Sequence, residues 1–157
     1  MIGTISTIMM LAAPILIIAT GGMICERSGV TNVGLDGLMS IGACTAAIVH
    51  QLMEVAGVGR ISLTVALLAA ALVSMLISVL HAIASVDLKS DQTISGTGIN
   101  LLATGITVFV CQRIYGTDRS TEFKMGMVKD GLGFYPTLYI AIVVVVLAWF
   151  ILYKTPF

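Results

Sequence analysis

The sixteen charged residues of this chain are placed so that five long stretches carry none: 1–25, 37–53, 61–86, 92–112 and 131–153. A helix crossing the hydrocarbon core of a bilayer needs roughly 20 predominantly apolar residues. Four of the five stretches meet that requirement directly. The stretch 37–53 is shorter, but a glycine-rich and weakly polar segment precedes it. One such run can be a buried helix of a soluble protein; five within 157 residues cannot all find a protein core to hide in. Hydrophobic residues make up 58% and charged residues 10% of the chain, against about 25% charged in soluble domains. The mean hydropathy of +1.07 agrees. The medium these segments are built for is lipid.

Within hydrocarbon the backbone must satisfy its own hydrogen bonds, which at these lengths leaves the α-helix. Barrel strands alternate polar and apolar residues, and runs such as Ile140 to Leu147 do not. The expected fold class is therefore all-α: a polytopic membrane helical bundle of about five transmembrane helices, one of them broken near residues 26–37. The expected helices are 4–25, 35–54, 61–86, 92–114 and 134–153, forming one transmembrane domain over 1–157. The longest connection, 115–133, carries Asp118, Arg119, Glu122, Lys124, Lys129 and Asp130. Gly131, Gly133 and Pro136 punctuate the approach to the last helix.

Formal net charge is zero and no basic cluster exists, so nucleic acid is excluded as a partner. Cys25, Cys44 and Cys111 sit in or beside apolar runs without metal-ligand spacing and read as small buried residues. There is no Gly-x-x-x-x-Gly-Lys-[Ser/Thr] phosphate loop and no nucleophile paired with a base. The chain is not expected to be an enzyme, and it calls for no metal and no cofactor.

Two helices carry polar stripes. Ser74, Ser78, His81 and Ser85 recur at helical spacing in the third, and Thr93, Thr97, Asn100, Thr104 and Thr107 in the fourth. Each set lies on one face. Small and hydroxylated faces are how helices pack in lipid, so interhelical contact is the first expectation for both stripes. A wetted pathway is the second, and Asn100 near mid-helix favours it. His81, close to its helix end, is not read as a proton relay.

The segment Glu26-Arg27-Ser28-Gly29-Val30-Thr31-Asn32-Val33-Gly34-Leu35-Asp36-Gly37-Leu38-Met39 is unusual beside a hydrophobic span. Its glycines permit a helix break or a close backbone approach. A carboxylate at a helix centre costs on the order of 2.5–3.5 kcal/mol, so Asp36 must face protein, water or a helix N-terminus. Irregular backbone at membrane depth is a recurrent way for transporters to build a site. A plain interfacial loop, with Asp36 in the first turn of the second helix, is the alternative.

This segment resembles the N-terminal signature of ABC importer permeases of the branched-chain amino acid and simple sugar group, most nearly the bacterial nucleoside-type permeases. A second stretch agrees. Asp91-Gln92-Thr93-Ile94-Ser95-Gly96-Thr97-Gly98-Ile99-Asn100-Leu101-Leu102-Ala103-Thr104-Gly105 is similar to their Gln-x-x-Ser-Gly-x-x-x-Asn-x-x-Ala-x-Gly helix start. The resemblance implies a multi-pass protein of the bacterial cell membrane. It implies a permease subunit that forms the solute route for nucleosides or simple sugars and hydrolyses nothing itself. Its implied partners are a cytoplasmic ATP-binding subunit, a second permease subunit, an extracytoplasmic solute-binding protein and the lipid bilayer. Asn32, Asp36, Ser95 and Asn100, the polar groups of the two family-like segments, are the candidate solute-pathway residues.

Members of that group continue well beyond the position of Phe157, where a cytoplasmic coupling segment follows, so this chain reads as the N-terminal half of such a permease. Orientation divides the arguments. Arg27, Lys89 and Lys154 fall on one side, and Arg60, Arg113, Arg119, Lys124 and Lys129 on the other. The positive-inside tendency puts the second group in the cytoplasm; the resemblance puts Lys154 there. Two alternatives stand beside the main reading: a branched-chain amino acid permease, and a small membrane scaffold without a solute route. The absence of Arg and Lys from the middle of the apolar runs favours an uncharged cargo over an amino acid.

Overall fold

The computed structural model describes residues 2–120 and 133–154. Five helices account for most of them: α1 (Ile2–Arg27), α2 (Leu35–Val55), α3 (Ile61–Ala82), α4 (Gln92–Tyr115) and α5 (Pro136–Lys154). All five are long and apolar enough to cross a membrane, with α3 continuing through a π-helical turn, Ile83–Asp87, to make its span 27 residues. The all-α expectation holds, and the helix bounds fall within a few residues of those drawn from charge alone. Residues 28–34 form the irregular link between α1 and α2. The charged loop expected over 115–133, with Glu122, Lys124, Lys129, Asp130 and Gly131, lies mostly outside the described residues.

The local chemistry explains where the helices stop. Gly57, just past α2, takes φ +75, and Gly116, after α4, takes φ +70 while its N–H reaches the Gln112 carbonyl. This left-handed termination suits a residue without Cβ. Pro136 opens α5, where its missing N–H costs nothing. Asp91 caps α4: its carboxylate accepts from the N–H groups of Thr93 and Ile94 at 2.8 and 3.0 Å.

The helices fall into two compact units. In the first, α1 and α5 run parallel. Near the start of α1, Ser6 Oγ donates to the Gly133 carbonyl just ahead of α5 at 2.6 Å. At the other end, the Arg27 guanidinium lies 4.8 Å from the Tyr153 ring centre. The buried residues are small and recur every seven positions: Ser6, Ala13 and Thr20 on α1, Ala141 and Ala148 on α5. A seven-residue repeat is the seam of a left-handed helix pair. Small side chains on it let two backbones approach in a solvent as apolar as leucine.

In the second unit, α2 and α3 form an antiparallel hairpin while α2 and α4 run parallel. Ser74 Oγ on α3 donates to the Leu38 carbonyl on α2 at 3.1 Å. Cys44 on α2 and Cys111 on α4 have their sulfurs 3.9 Å apart. The buried set is again dominated by small groups: Gly34, Gly37, Ser62, Ala66, Gly96, Ala103 and Cys111. Large apolar side chains such as Leu72, Leu76 and Phe109 point outward, each more than 60% exposed. That inversion of the soluble pattern is what lipid as solvent demands.

Candidate functional site

The two motif-bearing segments, some sixty residues apart in sequence, meet at the N-terminal ends of α2 and α4. Residues Gln92, Gly96 and Asn100 follow one another at spacing four and so share a face of α4. That face holds the backbone of residues 31–37. Gln92 Oε1 accepts from the Thr31 N–H at 2.6 Å. Asn100 Oδ1 accepts from the Gly37 N–H at 2.7 Å, and Asn100 Nδ2 donates to the Val33 carbonyl at 3.0 Å. Asn32 closes the segment on itself, its Oδ1 accepting from the Gly34 N–H at 2.9 Å.

The Asn100 contact does the work of a helix cap from a distance. α2 begins after Gly34, which has no side chain to cap with. Unsatisfied N–H groups in the first turn normally bond the N-cap side chain, most often at the third helical position. Gly37 is that position, and its N–H is answered by α4 instead. The same carboxamide ties down the Val33 carbonyl, so a single side chain fixes both the last irregular residues and the first helical turn.

Glycines make this approach possible. A Cβ at Gly96 would lie 2.8 Å from Gly34 N, 3.0 Å from Val33 Cβ and 3.1 Å from the Val33 carbonyl carbon. A Cβ at Gly37 would lie 2.8 Å from Asn100 Oδ1 and 2.9 Å from Asn100 Cα. Both would strike backbone that has no room to retreat.

The four residues expected at the solute route take different places. Asn32 and Asn100 stand together in the clamp. Ser95, on the next face of α4, meets α3, its Oγ lying 3.0 Å from His81 Nδ1. Ser85 on the π-helical turn sits 3.5 Å from the other imidazole nitrogen. His81 is 3% exposed, so this is a closed polar contact between α3 and α4. Asp36 sits in the first turn of α2 and is exposed, where the helix dipole favours its charge.

The polar stripes behave less uniformly than their spacing suggests. On α3, Ser74 and His81 reach neighbouring helices, whereas Ser78 bonds the Met75 carbonyl of its own helix. On α4, the hydroxyls of Thr97, Thr104 and Thr107 all bond carbonyls of α4 itself. A threonine in hydrocarbon finds its nearest acceptor one turn back, and that satisfies it without a partner helix.

One feature escaped sequence reasoning: His50 and Glu54, one turn apart on α2, pair at 3.2 Å with side chains 7% and 8% exposed. Their spacing of four was the available signal, but Glu54 looked like the residue that ended the apolar run. The helix continues past it to Val55 and carries the pair inside.

The sequence profile of the family described as "Branched-chain amino acid transport system / permease component" matches residues 4–157. Among curated proteins, the guanosine ABC transporter permease protein NupQ of Bacillus subtilis is 42% identical over 161 residues, taking in 93% of this chain and 50% of that protein. The nucleoside ABC transporter permease protein NupC of Lactococcus lactis subsp. cremoris is 31% identical, over 98% of this chain and 52% of its own length. A putative glucose ABC transporter permease protein, TsgC13 of Haloferax volcanii, is 30% identical, over 98% of this chain and 48% of its own. The chain thus spans about half the length of the curated relatives it matches. No solved structure matches it.

Proposed function

This chain belongs to the family of branched-chain amino acid transport system permease components, and we propose that it corresponds to the N-terminal half of a permease subunit in an ATP-driven importer of nucleosides or simple sugars. It is a multi-pass protein of the cell membrane. In the proposed assembly it contributes part of the solute route and hydrolyses nothing. A cytoplasmic ATP-binding subunit supplies the energy, a second permease subunit completes the passage, and an extracytoplasmic solute-binding protein delivers the cargo.

The observation that carries this reading is the docking of the 31–37 segment onto the Gln92–Gly96–Asn100 face. A route that opens alternately to either side needs irregular backbone held in a defined place at a helix end, because that is where peptide groups remain to meet a solute. Asn32, Asp36, Ser95 and Asn100 are assigned to the solute route on that ground. Asn100 and Asn32 shape the segment, Asp36 lies exposed at its edge, and Ser95 ties the same end of α4 to His81 on α3. A neutral, hydrogen-bonding cargo fits the charge distribution. The basic residues of the described spans lie in last helical turns, at Arg27, Arg113 and Lys154, leaving no buried cation to meet a substrate carboxylate. The names of NupQ and NupC point the same way.

Uptake of radiolabelled guanosine tests the assignment, in cells expressing the complete transport system with Asn100→Leu or with the parent. Uptake falls severalfold in the variant at equal membrane abundance. Undiminished uptake at equal abundance removes Asn100 from the route.

A further inference from the structure

The end of the first unit where α1 and α5 finish carries two cations, two aromatic rings and a cavity, none of which the proposed solute route uses. We propose that this end is a binding site for the headgroup of an anionic phospholipid. The cavity, about 190 Å3, is lined by Ile24, Arg27, Ser28, Ile151 and Leu152. Its lining pairs a guanidinium and a hydroxyl with three branched aliphatic side chains, the composition of the bilayer boundary.

Because α1 and α5 run parallel, Arg27 and Lys154 emerge at the same end, each as the last residue of its span. Neither has a carboxylate partner among the described residues. Each instead lies near a ring, Arg27 at 4.8 Å from Tyr153 and Lys154 at 5.9 Å from Trp149. Contact with a ring face uses a guanidinium's charge but not its in-plane N–H groups. Those donors remain for a phosphate, which arginine recognises in a bidentate manner. Ser28 Oγ already donates to the Cys25 carbonyl at 2.6 Å, so within the cavity lining the donors come from Arg27, and Lys154 adds a second positive charge at the same end of the helix pair from outside that lining. Glu26 is about 100° round the helix from Arg27 and does not line the cavity.

The depth of the site selects lipid over a free anion. The phosphate sits where Arg27 opens to water, and an acyl chain continues along Ile24, Ile151 and Leu152 into the hydrocarbon. Aromatic side chains at such a boundary hold their rings at headgroup level. Basic pockets between membrane helices bind anionic headgroups by this combination of charge and apolar wall.

The test uses the full chain reconstituted in bilayers of equal phosphatidylglycerol and phosphatidylcholine, followed by native mass spectrometry of the lipid that stays bound. The parent retains phosphatidylglycerol severalfold over phosphatidylcholine, Arg27→Gln with Lys154→Gln abolishes the preference, and Arg27→Lys keeps part of it. Equal retention of the two lipids by the parent, or an unchanged preference in the double variant, overturns the proposal. So does release of the retained lipid by excess inorganic phosphate, which would make the site one for a free anion. Should the double variant fail to fold, the parent decides alone, by its preference for phosphatidylglycerol over zwitterionic phosphatidylethanolamine. Insertion into pure phosphatidylcholine is expected in every case, so failure here leaves the membrane assignment untouched.

Discussion

Replacing Gly96 and Gly98 by alanine, one at a time, separates the close approach of α4 to residues 33–34 from every other property of the helix. The two glycines are two residues apart on the same helix and about 200° apart around it. A Cβ at Gly98 meets nothing within 4 Å. One at Gly96 meets Gly34 N at 2.8 Å and Val33 at 3.0 and 3.1 Å. The helix-forming advantage of alanine, about 0.5–1 kcal/mol, applies to both sites. Overpacking, about 1–3 kcal/mol, applies only to Gly96. The helix term cancels in the difference, so Gly98→Ala should be the more stable variant by about 1–3 kcal/mol. Two of the struck atoms are backbone and the third, Val33 Cβ, moves only with the backbone, which Asn100 holds at the Val33 carbonyl and Asn32 at the Gly34 N–H, so no side-chain rotation relieves the contact. Unfolding of the purified protein by sodium dodecyl sulfate, followed by helical circular dichroism, measures the difference. Equal stability of the two variants would mean that the 31–37 segment does not rest on α4, and the site built on that contact would fall with it.

Two further outcomes follow from single contacts, read by the same unfolding measurement. Asp91→Ala removes the carboxylate that accepts from Thr93 and Ile94; it should cost about 1 kcal/mol, and Asp91→Ser should recover most of that. Glu54→Leu strips the buried partner of His50 and should cost about 1–3 kcal/mol, with Glu54→Gln distinctly milder because it can still accept a hydrogen bond.

The five spans were legible because one force dominates them. A charge in hydrocarbon is costly enough that the spacing of Glu26, Asp36, Glu54, Arg60, Asp87, Asp91, Arg113 and Lys154 places the helix ends almost unaided. The glycines of residues 29–42 announced a close approach, yet nothing in their spacing named the partner. That pairing depends on Gln92, Gly96 and Asn100 facing the same way, which helical periodicity supplies only once α4 is known to lie beside α2. The parallel α1–α5 seam was written in the seven-residue recurrence of Ser6, Ala13 and Thr20, but small residues in an apolar run carry little contrast. The α4 threonines misled because their spacing is equally consistent with bonding a neighbour or bonding the turn below, and in hydrocarbon the shorter reach won.

The parallel packing of the two motif-bearing helices underlies both the clamp and the proposed solute route, and the chain carries its own probe of it. Cys44 on α2 and Cys111 on α4 have sulfurs 3.9 Å apart, and Cys25 lies on α1. Oxidation of native membranes with copper phenanthroline, followed by proteolysis and mass spectrometry, should recover a Cys44–Cys111 linked peptide that disappears in Cys44→Ser. Recovery of both thiols still free after complete oxidation of accessible controls would contradict the account.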